Sequence, residues 1–169
     1  LKAAGAPIGL WGVGTRLATA KDQPALGGVY KLAAIRDADG TWQDRIKLSN
    51  TPIKISNPGI QQVLRATDAD GAFVSDLIVD ERDARPPPPD GCTWEPLLVP
   101  VLRSGSLVAK LPDVHTARAR TASQRAALPA PVTALSDPTP YRVTLSEPLQ
   151  ARKDALIAEA RAATAGETP

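Results

Sequence analysis

The sequence predicts a mixed α/β fold. The last strand and turn of a βα repeat occupy residues 1–28, and a small antiparallel sheet with C-terminal helices occupies residues 29–169. Three observations carry this expectation. The apolar run Ile8-Gly9-Leu10-Trp11 breaks into Gly12-Val13-Gly14-Thr15, as a buried strand ending in a tight turn does. Asp-Ala-Asp-Gly occurs at 37–40 and again at 68–71, each time between alternating runs, which is a hairpin signature. Capping residues at Asp113 and Ser146 each precede a stretch suited to a helix.

In chain order, Leu1-Lys2-Ala3-Ala4-Gly5 reads as the last turn of a helix closed by glycine. The chain starts at Leu1 and contains no methionine, so the expectation is the C-terminal fragment of a longer enzyme. Gly12 and Gly14 let the backbone turn sharply and bring N–H groups close to an anion. Thr15 adds a hydroxyl, and a helical turn opening there points its positive end at the same place. A tight strand exit with no ligand is the plainer reading of the same residues.

Arg16 to Ala25 suits a short helix or irregular turn. Val29–Ile35 and Thr41–Leu48 read as one hairpin, and Gln62–Ala66 with Ala72–Val79 as another, so about four antiparallel strands are expected. A calcium loop is excluded at both Asp-Ala-Asp-Gly sites. Ile35 or Ala66 would fill the first ligand position, and Ile46 or Leu77 the closing one.

Asp80–Asp90 is charged and carries Pro86–Pro89. It reads as a linker and the sharpest internal boundary, with a proline-binding-domain ligand as the other reading. Leu97–Val108 resumes strand character around Arg103-Ser104-Gly105-Ser106, with Pro100 placing its first half at a sheet edge. Asp113 caps a helix reaching Leu128. Its Arg118, Arg120 and Arg125 are either an RNA-binding stripe or a solvated face, and no interleaved aromatic supports the former. Pro129–Pro140 is a proline-punctuated connection. In the last helix, Ser146 caps, Pro148 fits the first turn, and Leu149, Leu156, Ile157 and Ala160 form the packing face. Lys153 is expected on the opposite face, and fraying beyond Ala163.

Composition narrows the function classes. The 20 basic and 18 acidic residues are mixed along the chain and give a net charge of +2, which argues against a nucleic-acid or membrane-surface partner. No apolar run reaches the ~20 residues that span a bilayer, and no signal-peptide layout is present, so a cytoplasmic location is expected. Cys92 is the only cysteine, so an internal disulfide or a cysteine-based zinc site is excluded. His115, the only histidine, has no carboxylate or cysteine neighbour and reads as a surface residue.

Gly12–Leu32, GVGTRLATAKDQPALGGVYKL, resembles the segment that closes the barrel of nicotinate phosphoribosyltransferases. The likeness continues through Arg45-Ile46-Lys47-Leu48-Ser49, Pro52-Ile53-Lys54 and Asn57–Val63, and returns in Pro96–Val101 and Tyr141–Leu149. Ala84–Cys92 and Asp113–Pro138 match less well. The resemblance implies a type II phosphoribosyltransferase α/β barrel ending in residues 1–28. It implies a glycosyltransferase or ligase of NAD biosynthesis that joins nicotinate to phosphoribosyl pyrophosphate, with ATP hydrolysis and Mg²⁺, in a homodimer.

It also implies that Gly12, Gly14 and Thr15 bind the 5′-phosphate, with electrostatic help from Arg16. Lys47, Ser49 and Lys54 match a family-like K-L-S-x-x-P-x-K pattern and are possible substrate-site residues. A turn-anchoring hydroxyl and two solvated lysines are the equal alternative. His115 does not match the position of the histidine that family members phosphorylate. No catalytic residue and no metal ligand is therefore expected here, and the chain alone should be inactive. The alternative class is a non-catalytic β-rich assembly module.

Overall fold

The computed structural model describes residues 4–7, 9–10, 12, 14–19, 21–22, 24–25 and 27–166. The chain divides into two compact units, Leu1–Lys31 and Leu32–Pro169.

In the first unit the described helix is α1, the single turn Thr15–Ala18. The buried strand expected at Ile8–Trp11 does not form among the described residues. Gly9 and Leu10 are irregular, and Leu10 is 91% exposed; Ile8 and Trp11 lie outside the described residues. An apolar run becomes a strand only beside a partner that takes its backbone bonds, and no strand is described in this unit. Gly5 has φ +78°, as a glycine closing a helical turn does; the first three residues of that expected turn also lie outside the description.

The second unit contains three separate sheets. β1 (Ala34–Arg36) and β2 (Trp42–Asp44) form an antiparallel hairpin, shorter than both expected strands. β3 (Gln61–Thr67) and β4 (Phe73–Asp80) form the second hairpin. Both turns are hairpin turns. Asp39 Oδ1 accepts from Thr41 N at 2.8 Å, and Asp68 Oδ1 accepts from Ala72 N at 2.8 Å. Gly71 has φ +82°, the left-handed conformation such a turn demands of its last residue.

The two hairpins do not join into one antiparallel sheet. The four-stranded sheet has the order β5-β3-β4-β8, where β5 is Thr93–Pro96 and β8 is Val143–Leu145. β8 runs parallel to β4, so the sheet is mixed. Three-residue strands such as β8 carry too little pattern to be read locally. β6 (Leu102–Arg103) and β7 (Ser106–Leu107) form a third, isolated hairpin inside Leu97–Val108.

The core follows from β3, whose inward positions alternate as Gln62, Leu64 and Ala66. Leu64, Ala66, Phe73, Val79 and Leu149 are the buried apolar residues. Gln62 extends the ladder by its side chain: Nε2 donates to Leu98 O at 3.0 Å, and Oε1 accepts from Leu98 N at 2.9 Å. This satisfies a buried amide that would otherwise cost stability.

The Asp80–Asp90 segment is not a boundary. It links β4 to β5, two strands of the same sheet that both pair with β3. Trp94 Nε1 donates to Pro86 O at 3.0 Å, and Pro86–Pro89 line one shallow pocket with Trp94, Leu77 and Thr144. Pro86 O thus supplies the acceptor that the indole N–H needs.

Helix α2 (Val114–Ala127) is capped as expected, with Asp113 Oδ1 accepting from Thr116 N at 2.7 Å. Helix α3 (Glu147–Gly166) extends past the expected limit at Ala163. Ser146 precedes it, but its buried hydroxyl has no hydrogen-bond partner among the described residues; its backbone donates to Ile78 O at 2.9 Å instead. Anchoring the entry to β4 thus replaces side-chain capping. Leu149 is fully buried, while Leu156, Ile157 and Ala160 are half-buried. Lys153 is not on the opposite face. It is half-buried, and Nζ donates to Asn57 Oδ1 at 2.8 Å. Positions 149, 153, 156 and 160 share one helical stripe at i, i+4, i+7 and i+11.

Gly59 shows how closely these pieces approach. Its φ is +87°, and a Cβ there would lie 2.9 Å from Asp80 Cγ and overlap the carboxylate. Gly59→Ala is expected to lower stability by about 1–3 kcal/mol from backbone strain alone, measured as a fall in the urea midpoint. An unchanged midpoint would remove this contact from the account.

Candidate functional site

The predicted phosphate turn lies in the first unit. Gly14 is the residue before α1, with φ −85° and ψ 170°, an extended conformation open to any residue. A Cβ at Gly12 or Gly14 meets nothing within 4 Å. Local geometry therefore does not require either glycine, and any such requirement must come from something approaching the backbone. Gly12, Gly14, Thr15 and Arg16 are all exposed. Thr15 O accepts from Thr19 N at 2.9 Å and from Thr19 Oγ1 at 2.7 Å, while the Thr15 hydroxyl itself has no partner among the described residues. Arg16 Nη2 lies 3.8 Å from Asp22 Oδ1 in a fully solvated pair that contributes little.

Lys47, Ser49 and Lys54 belong to the second unit and share one loop. Lys47 N donates to Ser56 Oγ at 2.7 Å and Ser56 N to Lys47 O at 3.2 Å, which closes the loop. Ser49 Oγ accepts from Thr51 N at 3.2 Å and anchors the turn into the 3-10 segment Pro52–Lys54. Lys47 and Lys54 are exposed. His115 sits exposed in the first turn of α2.

The densest charge constellation was not anticipated. Arg82 Nε donates to Asp80 Oδ1 at 2.9 Å, and Arg82 Nη2 bonds both Asp80 Oδ2 and Asp44 Oδ1, the latter at 2.6 Å. Arg152 of α3 donates to Asp80 Oδ2 at 2.9 Å and to Asp83 Oδ1 at 2.7 Å, and its Nε lies 3.5 Å from Asp44 Oδ2. The Asp80 side chain is fully buried. Burial alone would raise its pKa, but hydrogen bonds from the Arg82 side chain and backbone, with the charges of Arg82 and Arg152, hold it below the usual carboxylate value. Both guanidiniums are consumed by carboxylates, so neither is available to a phosphate. The cluster clasps the end of β2, the end of β4 and α3 together.

A second network sits across β3 and β4. Arg65 forks onto Asp76 at 2.9 and 2.8 Å, and Tyr141 OH donates to Asp76 Oδ1 at 3.1 Å. Burial pushes the Tyr141 hydroxyl up to about 12, with the Asp76 charge adding to it. The Arg65 guanidinium lies 4.4 Å from the Phe73 ring centroid.

Sequence signals for the first network existed. Asp80-Glu81-Arg82-Asp83 is a charged run directly after an apolar strand, and Arg152 falls at i+3 from Leu149 on the packing stripe. Among the described residues no three His, Cys, Asp or Glu side chains converge as a metal site requires. No helix among the described residues is long and apolar enough to cross a membrane.

Comparison with known proteins adds the following. Residues 60–153 match the family described as the nicotinate phosphoribosyltransferase C-terminal domain. The nicotinate phosphoribosyltransferase of Bacillus subtilis strain 168 is 58% identical over 65 residues, covering 38% of this chain and 13% of that protein. The human protein of the same name is 33% identical over 170 residues, covering 91% of this chain and 31% of that protein. This chain thus spans a third or less of the length of these relatives. The crystal structure of human nicotinic acid phosphoribosyltransferase superposes with a TM-score of 0.58 at 26% identity, covering 79% of this chain and 27% of that one.

Proposed function

Because this chain belongs to the nicotinate phosphoribosyltransferase family, we propose that it forms the C-terminal part of an enzyme that makes nicotinate mononucleotide. The substrates are nicotinate and phosphoribosyl pyrophosphate, ATP hydrolysis is coupled to the reaction, and Mg²⁺ acts in the upstream part of the enzyme. The observation that carries this reading is the family match across residues 60–153, the whole of the β3–β4 hairpin through to α3. In the complete enzyme, residues 1–28 close a type II phosphoribosyltransferase barrel, and the product is used for NAD in the cytoplasm. The enzyme is a homodimer.

Within this reading, Gly12, Gly14 and Thr15 hold the 5′-phosphate, and Arg16 adds positive charge. Their exposure, and a Thr15 hydroxyl without a partner among the described residues, support the assignment. Lys47, Ser49 and Lys54 stay substrate-site candidates through their shared loop. Thr15→Ala in the full-length enzyme is expected to weaken phosphoribosyl pyrophosphate binding by about 1–3 kcal/mol, the worth of a hydrogen bond to a charged group. Nicotinate binding measured without the sugar phosphate should not change. Gly14→Val should lose phosphate binding while keeping its melting temperature, since a Cβ there meets no neighbour. Titration calorimetry with both variants tests this, and wild-type affinity in Thr15→Ala would eliminate the hydroxyl contact.

The chain alone is expected to form no mononucleotide when incubated with nicotinate, phosphoribosyl pyrophosphate, ATP and Mg²⁺. Turnover would mean that the catalytic groups lie within these 169 residues.

A further inference from the structure

The loop 45–56 leaves β2 after Asp44 and carries Lys47, Ser49 and Lys54. Two consecutive residues of α3 hold its two ends. At the entry, Asp44 Oδ2 lies 3.5 Å from Arg152 Nε, while Asp44 Oδ1 accepts from Arg82 Nη2 at 2.6 Å. At the exit, Asn57 Oδ1 accepts from Lys153 Nζ at 2.8 Å. Neighbouring residues of a helix project about 100° apart, so a single turn of α3 reaches both ends.

Between these anchors the loop has a closed neck. Lys47 and Ser56 exchange two bonds there, and Asn57 O accepts from Gln61 Nε2 at 2.8 Å as β3 begins. Ser56 and Pro58 are buried. Beyond the neck, Ser49 Oγ accepts from Thr51 N, Lys54 N donates to Thr51 O at 2.9 Å, and Ile55 N donates to Pro52 O at 3.1 Å. The turn is thus built on itself, and where it stands is decided at the neck.

Packing does not explain a lysine at 153. The stripe it shares with Leu149 and Leu156 would accept an apolar side chain of the same length, without the cost of half-burying an ammonium. What the ammonium adds is a directed bond to one amide oxygen, which fixes position.

We propose that Lys153 is a positioning residue for phosphoribosyl pyrophosphate: with Arg152 it fixes both ends of the 45–56 loop and so sets where Lys47, Ser49 and Lys54 stand. The inference rests on the substrate-site reading of those three residues and names what holds them in place. A loop that spends only part of its time in position binds with an affinity reduced by that fraction. Losing the anchor therefore weakens binding of the substrate the loop touches and leaves the chemical step alone.

Steady-state kinetics on the full-length enzyme tests this. Lys153→Met keeps the stem and removes the bond. It is expected to raise KM for phosphoribosyl pyrophosphate about 3- to 10-fold, with kcat and the KM values for nicotinate and ATP unchanged. Asn57→Ala should do the same, and the double variant should add nothing further, because either change removes the same bond. Lys153→Arg, which can still donate to Asn57, should stay near wild type. Leu156→Ala loosens the same stripe without touching the loop and should leave every constant unchanged. A rise in all the KM values, or an equal rise in Leu156→Ala, is general damage and overturns the proposal. Lys47→Ala with Lys54→Ala separates the positioning role from the substrate loop itself. If that pair raises KM for phosphoribosyl pyrophosphate and Lys153→Met does not, the positioning role falls and the substrate loop stands. If that pair leaves KM at wild type, the loop does not meet the substrate, and the proposal falls with it.

Discussion

Asp80→Ala is expected to destabilise the folded chain by about 3–5 kcal/mol, the usual consequence of removing one partner from a buried ion pair, read from the urea midpoint. The loss is large because two guanidiniums, 27% and 29% exposed, lose the carboxylate between them. Asp44 and Asp83 remain and hold Arg82 and Arg152 only in part. Asp80→Asn keeps the shape but not the charge and should fall between wild type and alanine. The same group predicts a pH dependence. Its folded pKa lies below its unfolded value, so its contribution is fully present above the ordinary aspartate pKa of about 3.9. That contribution is lost as pH falls through the lower folded value. Between pH 7 and pH 5 the wild-type-minus-Asn difference should stay constant, and it should shrink below about pH 4. A difference that grows on acidification would reverse the sign assigned to Asp80.

Leu149→Ala is expected to be the costliest apolar truncation in α3, at about 2–5 kcal/mol, because Leu149 is fully enclosed. Leu156→Ala should cost clearly less, since Leu156 is only half-buried and water can enter the space it leaves. Lys153→Ala should not be silent: it removes the bond to Asn57 and should cost about 0.5–1.5 kcal/mol. Urea midpoints for the three variants give the order directly. Equal midpoints for Leu149→Ala and Leu156→Ala would contradict the packing of this helix.

Both Asp-Ala-Asp-Gly turns and the Asp113 cap were legible because each is a local bargain, a side chain satisfying a backbone donor a few residues away. The assignments that failed depend on distant partners. Ile8–Trp11, which reads as a strand by composition, is not among them: Ile8 and Trp11 lie outside the described residues, and Gly9 and Leu10 alone are seen, in irregular backbone. Lys153 reads as solvent-facing by type, yet its stem lies on the packed stripe and its head finds Asn57; Arg152 beside it, which carried no assignment, finds Asp80. Sheet order was illegible for the same reason. Nothing within Val143–Leu145 says that its partner is Asp76–Ile78. At the candidate site the residue types of the glycine turn were readable, but the extended conformation of Gly14 was not.

The parallel pairing of β8 with β4 sets a timetable for assembly. Tyr141 OH reaches Asp76 across 65 residues of sequence, and the strand that flanks β4 follows two residues later. During synthesis the β3–β4 hairpin can close at once, whereas the outer edge of β4 must wait until residues 81–142 have emerged. Closing so long a loop is slow relative to local pairing. Through that interval a strand carrying Val74, Leu77 and Ile78 presents an open edge, the feature by which nascent chains pair with one another rather than with themselves. β8 and α3 therefore act as the late shutter of this edge of β4, the last part of the sheet to be covered.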